Sequence, residues 1–302
     1  MYPNSRFIRI DYSLISGLEA KGPYEFTLDK CWMVDITVFN NDISVSKLYK
    51  TSDDINDVTP YGNRMFLPSI NSRSNILAGK KICFCGDSFT EYTAIKGGSF
   101  EKTSENYDYD LGVYKTYPYW IWKRNGFQLV EDALSGSSMT YIEGGRDDAF
   151  SNIRYKNLPL NLDYIILKFG INDVNLNVPL GTLSDTNNET FFGAWNTVLS
   201  YLRNKYPLSK IGVIISNGMG NHLDYINAEI EVSKKWGVGF LNEATDSNIP
   251  VFYRTSRTDV DESVKQQMIN NFAINQDQGD THPTVEWHKY ESSIVENWLR
   301  SL

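Results

Sequence analysis

A chain of 302 residues, 41% of them apolar, is long enough to fold as one large domain with a smaller one beside it. Its formal net charge of −8, from 29 basic and 37 acidic residues with no dense block of lysine and arginine, argues against nucleic acid as a partner. No run of about 18 apolar residues is present to span a membrane, and the opening Met1-Tyr2-Pro3-Asn4-Ser5-Arg6 lacks the apolar core of a secretion signal.

The first fifty residues alternate with a period of two. Phe7 to Leu14, Tyr24 to Leu28, Trp32 to Phe39 and Ile43 to Tyr49 read as short antiparallel strands separated by Gly17, Gly22-Pro23 and Asn40-Asn41-Asp42. A small all-β domain is expected over residues 1–51, followed by a polar connector at 52–78 rich in Asp, Asn, Pro and Ser. From residue 79 to 302 the pattern changes to short apolar runs alternating with helix-period segments, the spacing of βαβ units. Parallel strands are expected at Lys81 to Cys85, Phe127 to Val130, Tyr164 to Phe169, Ile211 to Ser216 and Val238 to Leu241. Phe191, Phe192, Trp195, Val198, Leu199 and Leu202 mark one face of a helix, with Thr186 and Glu189 as its capping box. The last helix is expected to start with Pro283 at its first position and to carry Trp287, Tyr290, Ile294 and Trp298 on one face.

Chemistry-bearing residues fall at the ends of these runs. The strand Ile82-Cys83-Phe84-Cys85 ends in Gly86-Asp87-Ser88, placing a serine at the carboxyl edge where open α/β sheets bind ligands. Ser88 reads as a nucleophile, or with Asp87 as a cap on a following helix. Leu167-Lys168-Phe169-Gly170-Ile171-Asn172-Asp173 repeats the arrangement. The Asn172 amide reads as a donor to an oxyanion, or with Asp173 as a turn. After the second strand, Gly136 permits close backbone approach and offers its N–H. His282, in Gly279-Asp280-Thr281-His282-Pro283, supplies the near-neutral base that a serine hydroxyl needs. Cys83 and Cys85, two apart in a strand, read as core. The three histidines, 222, 282 and 288, lack ligand spacing with the cysteines, so no metal or cofactor is expected.

Taken in chain order, these blocks resemble the SGNH, or GDSL-like, hydrolases. Gly86-Asp87-Ser88 is similar to the first block, Gly136 to the second, Gly170-Ile171-Asn172-Asp173 to the third, and Asp280 to His282 to the last. The resemblance covers residues 79–302 and implies a flavodoxin-like three-layer α/β/α domain with a parallel sheet. It implies Ser88 as nucleophile, His282 as base, and an oxyanion hole made by the Ser88 and Gly136 backbone N–H groups and the Asn172 side chain. The family usually places its acid three residues before the histidine, where this chain has Gly279. Asp280 is the first candidate for that role, Asp277 the second, and a backbone carbonyl the third.

The resemblance implies a serine esterase acting on a small-molecule or carbohydrate ester. Two features favour removal of acetyl groups from carbohydrate. The segment from Lys96 to Tyr119 carries Tyr107, Tyr109, Tyr114, Tyr117 and Tyr119, which either stack on sugar rings or pack the segment down, and no long leucine- and phenylalanine-rich flap is visible. The alternatives are a small-ester or lysophospholipid esterase, and a non-catalytic component of a virion tail or cell-surface assembly. Synthesis in the cytoplasm, with or without later release, is the expectation on location.

Overall fold

The structure is a computed structural model that describes residues 6–8, 32–39, 42–50, 75–91, 102–110, 112–245, 261–272 and 282–302. The expected strand Tyr24 to Leu28, the stretch after Ile8 as far as Leu14, residues 52–74 of the expected connector, Lys96 to Gly98, Asp277 and Asp280 lie outside them. The chain divides into two units, Met1–Ala78 and Gly79–Leu302.

In the first unit, β1 (Arg6–Ile8), β2 (Trp32–Phe39) and β3 (Asp42–Lys50) form an antiparallel sheet in that order. The β2–β3 ladder pairs Phe39 with Asp42 and shifts register between Asp35 and Ile36.

The second unit begins with β4 (Lys81–Gly86). A small antiparallel pair follows, β5 (Tyr107–Asp108) with β6 (Val113–Tyr114), and leads into α1 (Tyr117–Asn125) and β7 (Gln128–Ala133). Next come β8 (Tyr164–Lys168), the one-turn helix α2 (Ile171–Asn175), α3 (Phe191–Lys205), β9 (Lys210–Ile215), α4 (Leu223–Trp236) and β10 (Gly239–Asn242). Helices α5 (Glu262–Phe272) and α6 (Val285–Ser301) complete the unit.

The strands β7-β4-β8-β9-β10 make one all-parallel sheet. Counted along the chain its order is 2-1-3-4-5, the flavodoxin-like arrangement, whose direction reverses between β4 and β8. Helices α3 and α4 pack together, as do α1 and α6, which makes the expected three-layer α/β/α architecture.

Strand alternation divides the core. Cys83, Cys85, Ile165, Leu167 and Val213 pack with Trp195, Val198 and Leu199 of α3 and with Ile226 and Val232 of α4. Phe84 points the other way, its ring 5.7 Å from that of Tyr117 on α1. Cys83 and Cys85 are buried thiols with sulfurs 3.6 Å apart, and burial pushes the Cys85 thiol up.

Two helix starts differ from expectation. Thr190, not Thr186, caps α3, its Oγ1 accepting from the Gly193 N–H. The Asn187 side chain accepts from the N–H groups of Glu189 and Thr190, a turn that holds Glu189 outside the helix. Likewise α6 starts at Val285, capped by Thr284, so Pro283 stands before the cap. Tyr290 is 43% exposed, and the buried face of α6 is Trp287, His288, Glu291, Ser292, Val295 and Leu299. Polar partners, described below, widen this face beyond the apolar stripe, of which Trp287 and Ile294 pack inward.

Candidate active site

Strand order reverses between β4 and β8, the place where open α/β sheets bind ligands, and the carboxyl ends of these two strands deliver Ser88 and Asn172. Gly86 ends β4 because nothing larger fits: a Cβ there would lie 2.3 Å from Thr90 Oγ1 and 2.8 Å from the Lys168 carbonyl oxygen. The chain then folds back on itself. The Thr90 and Glu91 N–H groups donate to the Asp87 carbonyl, at 3.0 and 2.9 Å, and the Asp87 carboxylate accepts from the Phe89 N–H at 2.9 Å. Asp87 therefore stiffens the turn that presents Ser88. Burial pushes its carboxyl up to about 7, against the Phe89 hydrogen bond and the nearby Lys168 charge.

Ser88 Oγ lies 2.8 Å from His282 Nε2, across 194 positions of sequence. The imidazole faces the Phe89 ring, with centroids 5.4 Å apart. Asn172 sits in the first turn of α2 behind Gly170, whose φ of 106° suits only glycine. The Asn172 Nδ2 donates to the Ser137 carbonyl at 2.9 Å, which leaves its second amide proton for another acceptor. Gly136, with φ 76°, lies in the loop after β7. Among the described residues the Ser88 and Gly136 N–H groups have no hydrogen-bond partner. The structure thus brings Ser88 and His282 into contact and ties Asn172 to the Gly136 loop, while Asp280 and Asp277 lie outside the described residues.

Asp173 and two side chains that sequence reasoning passed over, Arg154 and Glu91, fix this arrangement. The buried Asp173 carboxylate accepts from the N–H groups of Met139 and Thr140, at 2.9 and 2.8 Å. Arg154 donates to the Asp132 carboxylate at 2.7 Å and to Ser137 Oγ at 2.6 Å, and Glu91 accepts from the Ser135 N–H at 3.1 Å. The loop from Ser135 to Thr140 is therefore held by Asp173, Arg154, Glu91 and Asn172. Asp173 was legible as the neighbour of Asn172. Arg154 and Glu91 carry no local signal, because their partners are distant in sequence.

Phe89, Ile171 and Trp287 form a small buried apolar cluster. Phe89 follows Ser88, Ile171 precedes Asn172, and Trp287 stands five residues after His282. One patch of packing thus sets the three segments against each other. Of the tyrosines between Lys96 and Tyr119, positions 107, 114, 117 and 119 are buried, and Tyr109 is 61% exposed. These residues mainly pack the segment down. No group of three or more metal-ligating side chains occurs among the described residues, and no helix among them is long and apolar enough to cross a membrane.

A parallel sheet of this order, flanked by helices and carrying a serine–histidine contact at its reversal point, is a flavodoxin-like α/β/α fold. Solved structures of similar fold include a protein from Lactobacillus plantarum, 20% identical, covering 74% of this chain and 98% of its own, with a TM-score of 0.53. Two proteins assigned as GDSL-like lipases are also similar. That from Bacteroides uniformis is 20% identical, covers 74% of this chain and 97% of its own, and has a TM-score of 0.52. That from Bacteroides ovatus is 15% identical, covers 74% and 100%, and has a TM-score of 0.52. At these identities the likeness is one of fold. No family model matches the sequence, and no curated protein matches it.

Proposed function

We propose that the chain is a serine ester hydrolase that works through an acyl-enzyme. The observation that carries this reading is the 2.8 Å contact between Ser88 Oγ and His282 Nε2 at the edge where Asn172 is also presented. His282 takes the Ser88 proton as Oγ attacks the ester carbonyl. The oxyanion that forms is met by the N–H groups of Ser88 and Gly136 and by the free amide proton of Asn172. Collapse of this intermediate expels the alcohol, protonated by His282. Water activated by the same imidazole then releases the acid and restores Ser88. Asp280 is the acid proposed to orient His282. Even a serine–histidine dyad with an intact oxyanion hole keeps part of this catalysis.

For the substrate we propose acetyl esters of carbohydrate. Within the segment that suggested sugar stacking, support now rests on Tyr109, the exposed tyrosine of the set. The first unit, with its antiparallel sheet, is proposed as a binding or attachment module.

The test is a panel of aryl esters of graded acyl length together with acetylated oligosaccharides, run with wild type and Ser88→Ala. Expected is turnover with preference for acetyl, abolished in Ser88→Ala without change of fold, and covalent labelling of Ser88 by a fluorophosphonate. Full activity in Ser88→Ala, or a label elsewhere, overturns the reading.

A further inference from the structure

Lys168 occupies the last position of β8, in a strand otherwise apolar and wholly buried. Burial alone would lower its proton affinity, but Glu243 and Glu291 outweigh that and hold the ammonium charged. Its Nζ lies 2.9 Å from Glu243 Oε2 and is also hydrogen-bonded to Glu291, and all three side chains are 1% exposed. Glu243 stands immediately after β10 and Glu291 in the second turn of α6, so one cation joins three elements distant in sequence. His288, one turn earlier on α6, places Nδ1 3.5 Å from Glu291 Oε2.

The same ammonium reaches toward the catalytic edge. It lies 6.0 Å from the centre of the Phe89 ring and 5.1 Å from that of Tyr117. The Tyr117 hydroxyl is 3.2 Å from Thr90 Oγ1, and Phe89 in turn faces the His282 imidazole. Lys168 therefore contacts the turn after Ser88 directly through Phe89 and indirectly through Tyr117. Through Glu291 it holds the helix that begins three residues after His282, and it stands in the strand that ends four residues before Asn172.

Stability alone is a poor reason for such a group. Desolvating a buried ion costs several kcal/mol, and well-packed apolar side chains of similar volume often hold a core as well or better. A fixed cation supplies direction instead, because its N–H bonds set where Glu243 and Glu291 sit. We propose that Lys168, with Glu243 and Glu291, is a positioning device that registers the Ser88 turn against the His282-bearing segment. This inference rests on the proposed serine hydrolase reading. Neither Lys168 nor its partners touch the reacting atoms, so the device acts through Phe89 and α6.

The deciding variant is the triple Lys168→Met/Glu243→Gln/Glu291→Gln, which removes all three ionisable groups together and leaves none of them as a lone buried ion. In a p-nitrophenyl acetate assay kcat should fall about 10²-fold, the scale of an ångström of misplacement, with KM changed by no more than about twofold. The rate of fluorophosphonate labelling of Ser88 should fall with kcat, while unfolding stays cooperative. Arg124→Met, which removes a tie from α1 to Glu296 and Ser292 of α6, should lower Tm and leave kcat unchanged. A cooperatively folded triple with wild-type kcat overturns the inference. So does a fall in kcat of the same size in Arg124→Met, since the effect would then be general loosening of α6. Should the triple not fold, Glu291→Gln decides in the same assay, a lowered kcat at constant KM supporting the device and a wild-type kcat overturning it. Ser88→Ala run alongside separates the two readings. Surviving turnover there removes the hydrolase reading and this inference together, whereas a dead Ser88→Ala with a fully active triple removes this inference alone.

Discussion

Asn172 and Asp173 divide one dipeptide between two tasks. The Asp173 carboxylate is spent on the Met139 and Thr140 N–H groups, and one Asn172 proton on the Ser137 carbonyl, so under the proposed function the second Asn172 proton is the one that meets the oxyanion. Asn172→Ala should lower kcat by roughly 10²–10³ with little change in KM, because the donor acts mainly in the transition state. A shift confined to KM in steady-state assays would make Asn172 a binding or loop residue instead. Asp87 yields a prediction of another kind, on stability. Burial raises its carboxyl from 3.8 to about 7, so between those values the folded chain keeps a proton that the unfolded chain has lost. Stability contributed by this group is therefore fully present below about pH 4, declines as pH rises to about 7, and changes no further above that. Urea midpoints of wild type and Asp87→Asn measured across this range should show wild type losing ground to the variant as pH rises. Parallel curves would mean that Asp87 is ionised in the fold throughout.

Elements with strong periodicity were legible in the sequence, and their boundaries were set by chemistry that periodicity does not carry. All five strands of the parallel sheet lie within one or two residues of the apolar runs that announced them, except that β7 continues to Ala133 through Glu131 and Asp132. Asp132 is tolerated there because Arg154 pairs with it. Along the expected stripe of α6, Trp287, Ile294 and Trp298 pack inward and Tyr290 is exposed; Glu291 and His288 look like solvent residues in sequence, but the buried Lys168 draws Glu291 inward. A lone lysine inside a fully apolar strand was the available signal, since a buried charge requires a partner. Ser88, Asn172 and His282 were legible because each closes a recognisable strand end or opens a helix. Arg154 and Glu91 were not, as their roles depend on contacts that only the folded chain makes. The helix start at α3 shows the same limit on a smaller scale. Thr190, adjacent to the first helical residue, caps the Gly193 N–H and donates to Asp185 at 2.9 Å, whereas Thr186 lies outside the helix. Thr190→Ala should therefore destabilise the fold by about 1 kcal/mol, and Thr186→Ala by much less, as measured by urea denaturation. Equal losses would return the cap to Thr186.

At the scale of the whole molecule, the two units carry different work under the proposed function. Every proposed catalytic residue, the parallel sheet and both flanking helix pairs lie within Gly79–Leu302, and the antiparallel sheet lies within Met1–Ala78. Trp195 and Trp287 are both buried in the second unit. A protein starting near Ser72 should consequently fold by itself and hydrolyse small soluble esters at a rate close to that of the full chain. A cut in a polar segment between units exposes less core than one within either. The expected difference lies in the substrate: if the first unit binds or attaches, the shortened protein should keep kcat on an aryl acetate and lose activity on an acetylated polymer. The measurements are cooperative thermal unfolding of the shortened protein and parallel assays on the two substrates. Failure to fold would mean that the first unit completes the hydrolase core, and equal activity on the polymer would remove the binding role from it.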